Sequence, residues 1–136
     1  MKFRGAYNAS KFALEGLADT LRLELRGSGI QVVLVEPGPI ESEFRKNAFA
    51  KYRENINPEQ SPHRSTYRAM EERLQKIGPA APFTLPAQAV ANKVVQALEA
   101  SHPKNRYYVT FPTYLFAWLK RLLPSRWLDE ILCRVE

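Results

Sequence analysis

The chain has little of several residue types that would point to a metal or a disulfide. It holds one cysteine, Cys133, and two histidines, His63 and His102, among 136 residues. A single cysteine cannot build an internal disulfide framework or a zinc cluster of paired cysteines, and two isolated histidines lack the spacing of zinc ligands. We therefore expect no metal site, and the composition suits a reducing compartment.

Long apolar runs are also missing. A membrane-spanning helix needs about 20 predominantly apolar residues, and the longest candidate, residues 114–123, is broken by Lys120 and Arg121. Near the N-terminus, Lys2 and Arg4 precede a mixed helical pattern and not the apolar core of a signal peptide. We expect a cytoplasmic protein.

Basic residues outnumber acidic ones, which gives a net charge of +6 and a pI near 9.6. A basic balance suits nucleic acid, anionic lipid or the phosphates of a dinucleotide. The basic residues of segment 41–80 are interleaved with acidic ones such as Glu54, Glu59 and Glu71, which is typical of a solvated helix face. We therefore expect no nucleic-acid partner. A hydrophobic content of 45% with 25% charged residues fits a globular domain.

The most informative residues are Tyr7 and Lys11, which stand four apart at the start of an amphipathic run. A helix places residues at this spacing on one face. A phenol ionises near pH 10 when it is unperturbed, and a nearby cation favours the phenolate. Such a pair can move a proton onto or off an alcohol or carbonyl oxygen. The spacing alone is common, however, and a packing tyrosine beside a surface lysine would show it too.

Periodicity predicts alternating helices and strands along the rest of the chain. Residues 7–26 predict a helix with an apolar stripe, Gly27 and Gly29 end it, and the β-branched run 30–35 predicts a buried strand. Further helices are expected over 43–55 and 64–77 and from Pro86 onward, the last with one buried face. Residues 106–110 predict a short strand, and residues 111–136 form an amphipathic tail. The members of the first apolar stripe are Leu14, Leu17, Ala18, Leu21 and Leu25.

The helix with Tyr7 and Lys11, the following strand and the loop at Pro37 and Gly38 resemble the second half of a short-chain dehydrogenase/reductase. The resemblance implies an α/β fold: the C-terminal half of a Rossmann-like doubly wound parallel sheet, with a helical substrate lid over about 41–80 and the tail at 111–136. The six glycines make no dinucleotide fingerprint. Residues 1–136 are thus expected to be a partial domain that lacks the N-terminal dinucleotide-binding half and is inactive alone.

The resemblance implies catalytic roles for Tyr7 and Lys11. Tyr7 would protonate a carbonyl oxygen as hydride arrives, or act as the base when an alcohol is oxidised. Lys11 would assist the tyrosine and hydrogen-bond the nicotinamide ribose. Both residues would therefore contact the cofactor as well as serve the reaction.

The resemblance also implies four cofactor-binding residues in the loop after the strand. Pro37 and Gly38 would form the turn, where the backbone comes close to the cofactor. Ile40 would offer its backbone N–H to the nicotinamide carboxamide. Ser42 would offer its hydroxyl to that carboxamide or to the pyrophosphate.

The function implied is hydride transfer between NADP(H), with NAD possible, and an apolar aldehyde, ketone or alcohol. Residues 83–85, 106–107 and 120–124 resemble bacterial NADP-dependent aldehyde reductase-like members. Family members commonly dimerise through the first helix, so a homo-oligomer is expected. The alternative is a non-catalytic remnant that acts as an oligomerisation or membrane-surface module. The tail around Trp118 is compatible with packing over the substrate pocket, docking on a second subunit or lying at a membrane interface.

Overall fold

A computed structural model describes residues 4–79 and 81–135. The chain divides into two compact units. The sheet unit comprises the residues up to Gly38 and those from Gln88 onward, and the helical unit comprises Pro39–Ala87. In chain order the elements are α1 Gly5–Glu24, β1 Leu34–Glu36, α2 Phe44–Asn55, a 3₁₀ turn Pro58–Gln60, α3 Arg64–Gln75, α4 Ala87–Glu99, β2 Arg106–Tyr108, α5 Phe111–Leu122 and α6 Ser125–Val135.

Strands β1 and β2 pair in parallel and form the sheet of the first unit. Their register places Leu34 opposite Arg106 and Glu36 opposite Tyr108. Helices together with a parallel strand pair confirm the α/β class and fit part of a Rossmann-like sheet. The strand expected over residues 30–35 is shorter and lies later, because only residues 34–36 face a hydrogen-bonded neighbour in the described parts of the chain.

Helix α1 agrees closely with the predicted helix, but its apolar stripe is not a core. Ala18 is buried, whereas Leu14 and Leu17 are 52% and 57% exposed. Helix α4 starts directly after Pro86, as expected, yet the single buried face predicted for it is wrong, since Leu98 is 79% exposed. Periodicity identifies an apolar face correctly, but burial of that face requires a partner surface.

The tail is helical, as the amphipathic pattern suggests. Helix α5 begins after Thr110 with a proline in its first turn, and α6 follows it. None of the helices in residues 4–79 and 81–135 has the length and apolarity needed to cross a membrane.

The helical unit contains the two helices predicted for residues 41–80. Helices α2 and α3 are joined by aromatic packing, with the rings of Tyr52 and Tyr67 5.9 Å apart between centroids. Arg45 on α2 donates to the backbone oxygens of Lys76, at 2.8 Å, and Gly78, beyond the end of α3. These contacts fix α2 against the segment that follows α3. That this unit serves as a substrate lid stays a prediction.

Candidate active site

Tyr7 and Lys11 lie on the same face of α1, one helical turn apart. The Lys11 ammonium nitrogen is 5.2 Å from the centre of the Tyr7 ring, within range of a cation–π contact. The Tyr7 side chain is 45% exposed. Ser10, which lies between them in sequence, donates its hydroxyl to the Tyr7 carbonyl at 2.7 Å, so its side chain is engaged within the helix. The geometry therefore brings a phenol and an ammonium together where a small molecule can reach them.

Polar side chains continue along the same face of α1 and meet an arginine from β2. The second guanidinium nitrogen of Arg106, Nη2, lies 3.1 Å from both carboxylate oxygens of Asp19 and 3.5 Å from Glu15 Oε2. Arg106 Nε lies 3.3 Å from Oε1 of Glu36, the last residue of β1. Arg22 also contacts Asp19, at 2.6 Å. Arg106 thus connects the helix of Tyr7 and Lys11 with the strand end that precedes Pro37.

The carboxylates of this cluster sit in different environments. Hydrogen bonds from Arg22 and then Arg106 lower the pKa of Asp19. Burial, followed by repulsion from Glu15, raises the pKa of Glu36. Glu36 Oε1 is within ion-pair distance of Arg106 but has no aligned hydrogen bond, so burial outweighs the attraction there. Asp19 is the best-paired acid of the cluster.

The pKa of Asp19 is lowered in the folded chain, so the ionised carboxylate stabilises the fold. This stabilisation is present above pH 3.8, the ordinary pKa of the group, and is lost as the pH falls below that value. We expect Asp19→Asn to reduce the free energy of unfolding at neutral pH. The difference from the wild type should shrink as pH falls below 3.8. Urea unfolding at several pH values measures it.

Glu54→Gln is the matched control for this prediction, because Glu54 pairs with Lys51 on the exposed surface of α2. An exposed pair of this kind contributes little, so this variant should differ little from the wild type at any pH. A difference between Asp19→Asn and the wild type that stays constant from neutral to acidic pH would contradict the role of the paired carboxylate.

The loop at Pro37 and Gly38 is held against the start of α5. Gly38 has a φ of +73°, and a Cβ atom at this position would meet the hydroxyl oxygens of Thr110 and Thr113. Thr110 is fully buried, and its hydroxyl lies 2.9 Å from that of Thr113. The close approach expected of Gly38 therefore involves the protein itself. The sequence interpretation missed both threonines, although Thr110 directly before the Phe111–Pro112 pair is a helix-start signal.

Ile40 and Ser42 belong to the helical unit. Ile40 forms a parallel bridge with Leu85, in which Leu85 N–H donates to Pro39 O and Glu41 N–H donates to Leu85 O. The N–H of Ile40 itself consequently points to the side away from Leu85. The Ser42 hydroxyl accepts a bond from Phe44 N–H at 3.4 Å, at the start of α2. Their cofactor roles stay predictions.

Known proteins resemble this chain over most of its length. A family model described as short chain dehydrogenase matches residues 1–53. The uncharacterized oxidoreductase YbbO of Escherichia coli K12 is 46% identical over 129 residues, which are 95% of this chain and 42% of that protein. The probable short-chain type dehydrogenase/reductase VdlC of Helicobacter pylori is 39% identical over 132 residues, or 96% of this chain and 46% of that protein.

A third relative has a more specific name. The NADPH-dependent 3-dehydrocapnine reductase of Ornithobacterium rhinotracheale is 36% identical over 131 residues, which are 93% of this chain and 43% of that protein. The chain thus spans less than half the length of each of these relatives. The residues matched by the family model include α1, β1 and the loop at Pro37 and Gly38. The chain belongs to the short-chain dehydrogenase/reductase family.

Proposed function

We propose that the protein carrying these residues is an NADP(H)-dependent oxidoreductase that reduces an apolar aldehyde or ketone, or oxidises the corresponding alcohol. The observation that carries the proposal is the Tyr7–Lys11 pair, with 5.2 Å between ammonium and ring, on an exposed face of α1 in a member of this family. The preference for NADPH rests on the name of the relative from Ornithobacterium rhinotracheale.

Tyr7 supplies the proton in this proposal. Its exposed side chain can approach a substrate carbonyl, donate a proton to the oxygen during reduction and accept one from an alcohol during oxidation. The Lys11 ammonium lies beside the Tyr7 ring and can donate hydrogen bonds to ribose hydroxyls. The bound cofactor supplies or accepts the hydride.

The loop after β1 offers a backbone N–H and a hydroxyl that can hydrogen-bond a nicotinamide carboxamide. The Ile40 N–H points away from Leu85 and is therefore oriented to donate elsewhere, as a carboxamide oxygen requires. Gly38 lets the turn after β1 pack closely on Thr110 and Thr113, and the Ser42 hydroxyl lies at the start of α2. We propose Lys11, Pro37, Gly38, Ile40 and Ser42, together with Tyr7, as the cofactor contacts.

The exposed leucines of α1 support a further part of the proposal. Leu14, Leu17 and Leu21 line one exposed apolar side of the helix. A surface of this kind is normally covered in a folded protein. We propose that the remainder of the family domain or a second subunit covers it, and that the chain alone does not turn over substrate. The cytoplasmic location stays a prediction.

A chimaera tests the proposed function, because the relative from Escherichia coli supplies the rest of the domain. This chain replaces the aligned 129-residue segment of that relative. We expect NADPH consumption with aliphatic aldehydes, faster as their apolar chain lengthens, and slower consumption with NADH. The unaltered relative and NADPH fluorescence serve as controls for folding and binding. A chimaera that binds NADPH but reduces no aldehyde or ketone would contradict the proposal.

The second candidate is a non-catalytic module that binds a membrane surface through the tail. The observation in its favour is that Trp118 and Trp127 are exposed on α5 and α6, close in sequence to Lys120 and Arg121. Aromatic and basic side chains on an amphipathic helix suit an anionic lipid surface. Co-sedimentation with vesicles of phosphatidylserine and phosphatidylcholine at low salt tests it, and the absence of binding would remove this candidate.

A further inference from the structure

Arg106 stands out among the groups that the proposed mechanism does not use. Arg106 lies on β2 and approaches the polar face of α1, where Arg22 is also found. Its side chain is only 22% exposed and contacts Asp19, Glu15 and Glu36 at 3.1–3.5 Å. These three carboxylates come from α1 and from the end of β1. Arg106 can therefore fix the positions of carboxylates that lie near the Tyr7–Lys11 pair.

The carboxylate that matters most for this pair is Glu15. Glu15 follows Lys11 by four residues, and side chains at this spacing on a helix are neighbours that readily form an ion pair. The structure shows a different arrangement, in which Lys11 lies over the Tyr7 ring and Glu15 turns to Arg106. Within the described residues, no ion pair joins Lys11 to a carboxylate.

The other acids of the cluster would stay in place without Arg106. Asp19 keeps Arg22 as a partner at 2.6 Å, and Glu36 lies partly buried at the end of β1, near the positive charges of Lys120 and Arg121 on α5. Lys120 itself is 4.5 Å from the centre of the Phe12 ring. Glu15 has Arg106 as its ion-pair partner in the part of the chain that the structure describes. Removing Arg106 would therefore release Glu15 in particular.

We propose that Arg106 is a positioning residue: it holds the Glu15 carboxylate, so that Lys11 remains available to Tyr7 and to the cofactor. This inference rests on the proposed function. When Arg106 is absent, Glu15 turns toward Lys11, and the ammonium is drawn away from the phenol and from the ribose hydroxyls. The proposal assigns to Arg106 an effect that acts through Lys11, in addition to the stability that its ion pairs supply.

Kinetics of the chimaera separate this role from a merely structural one. Arg106→Gln should raise the KM for NADPH and lower kcat, by about tenfold to a hundredfold in kcat/KM, as small displacements in active sites do. Adding Glu15→Gln removes the competing carboxylate and should restore most of the lost activity. Glu15→Gln alone should behave like the wild type. A double variant that stays as impaired as Arg106→Gln would overturn the proposal.

The free energy of unfolding of the same variants distinguishes a positioning role of Arg106 from a role in folding alone. Arg106→Gln removes ion pairs to Asp19 and Glu36 that Glu15→Gln does not replace. The double variant should therefore stay less stable than the wild type and regain only the part lost to repulsion between Glu15 and Glu36. Recovery of most of the activity without full recovery of stability fits the positioning role. Full recovery of both together would show that Arg106 acts only through the fold.

A second measurement uses the 136-residue chain itself and needs no turnover. The measurement is the NMR signal of the Lys11 ammonium group. This signal should change in Arg106→Gln, because Lys11 then contacts the Glu15 carboxylate, and adding Glu15→Gln should reverse the change. An unchanged Lys11 signal in Arg106→Gln would overturn the inference. If the wild-type chimaera reduces no carbonyl compound, the proposed function fails, while these spectra still decide whether Arg106 restrains Glu15.

Discussion

Replacing Tyr7 with phenylalanine is expected to lower kcat of the chimaera by about 10²- to 10⁴-fold, the usual contribution of a positioned general acid or base. The variant keeps the ring that Lys11 contacts, at 5.2 Å from the ammonium, and loses only the hydroxyl. Binding of NADPH should therefore persist, because the Lys11 side chain and the loop at Gly38 are unaltered. Steady-state kinetics and NADPH fluorescence measure the two effects separately.

Tyr114→Phe provides the matched control for this change. Tyr114 lies on α5 in the same unit, is 42% exposed against 45% for Tyr7, and packs its ring against Tyr108. Loss of its hydroxyl should leave turnover near the wild-type rate. Turnover that survives in Tyr7→Phe, or that falls equally in both variants, would refute the proton-transfer role of Tyr7.

The second large effect is expected from Gly38→Ala. Gly38 has a φ of +73°, a conformation that costs an L-residue roughly 1–2 kcal/mol. The added Cβ atom would also meet the hydroxyls of Thr110 and Thr113, and overpacking of this kind costs about 1–3 kcal/mol. The free energy of unfolding should fall by about 2–5 kcal/mol in sum. Urea unfolding of the chimaera measures the loss, and NADPH affinity should fall with it because the loop must shift.

Gly29→Ala separates the two causes. Gly29 has a similar φ of +83°, but a Cβ atom there meets nothing within 4 Å. This variant should lose only the conformational part, about 1–2 kcal/mol. Equal losses in the two variants would show that Thr110 and Thr113 do not confine the loop at Gly38.

The sequence was a good guide wherever structure is local. Spacing placed Tyr7 and Lys11 on one helix face, and helices α2 and α3 start and end within two residues of the predicted bounds. These features depend on periodicity and on turn residues that lie within a few positions of each other. The family resemblance implied a parallel sheet, and the parallel pairing of β1 with β2 agrees with it.

The sequence was a poor guide wherever a distant residue decides the outcome. Spacing placed Leu14 and Leu17 on one apolar stripe, but burial of that stripe depends on a covering surface that periodicity cannot supply. The contact of Arg106 with Asp19 joins residues 87 positions apart. The packing of Gly38 against Thr110 likewise joins two loops that only the folded sheet unit brings together. Neither contact leaves a local signal in the sequence.

The most direct test of the central claim follows the hydride itself. The chimaera is supplied with an apolar aldehyde and with NADPH deuterated at the transferring carbon of its nicotinamide, and the product alcohol is analysed by mass spectrometry. We expect deuterium on the carbinol carbon of the alcohol formed by the wild type and much less labelled product from Tyr7→Phe. Alcohol formed without the label, or labelled alcohol formed equally by both proteins, would contradict the claim.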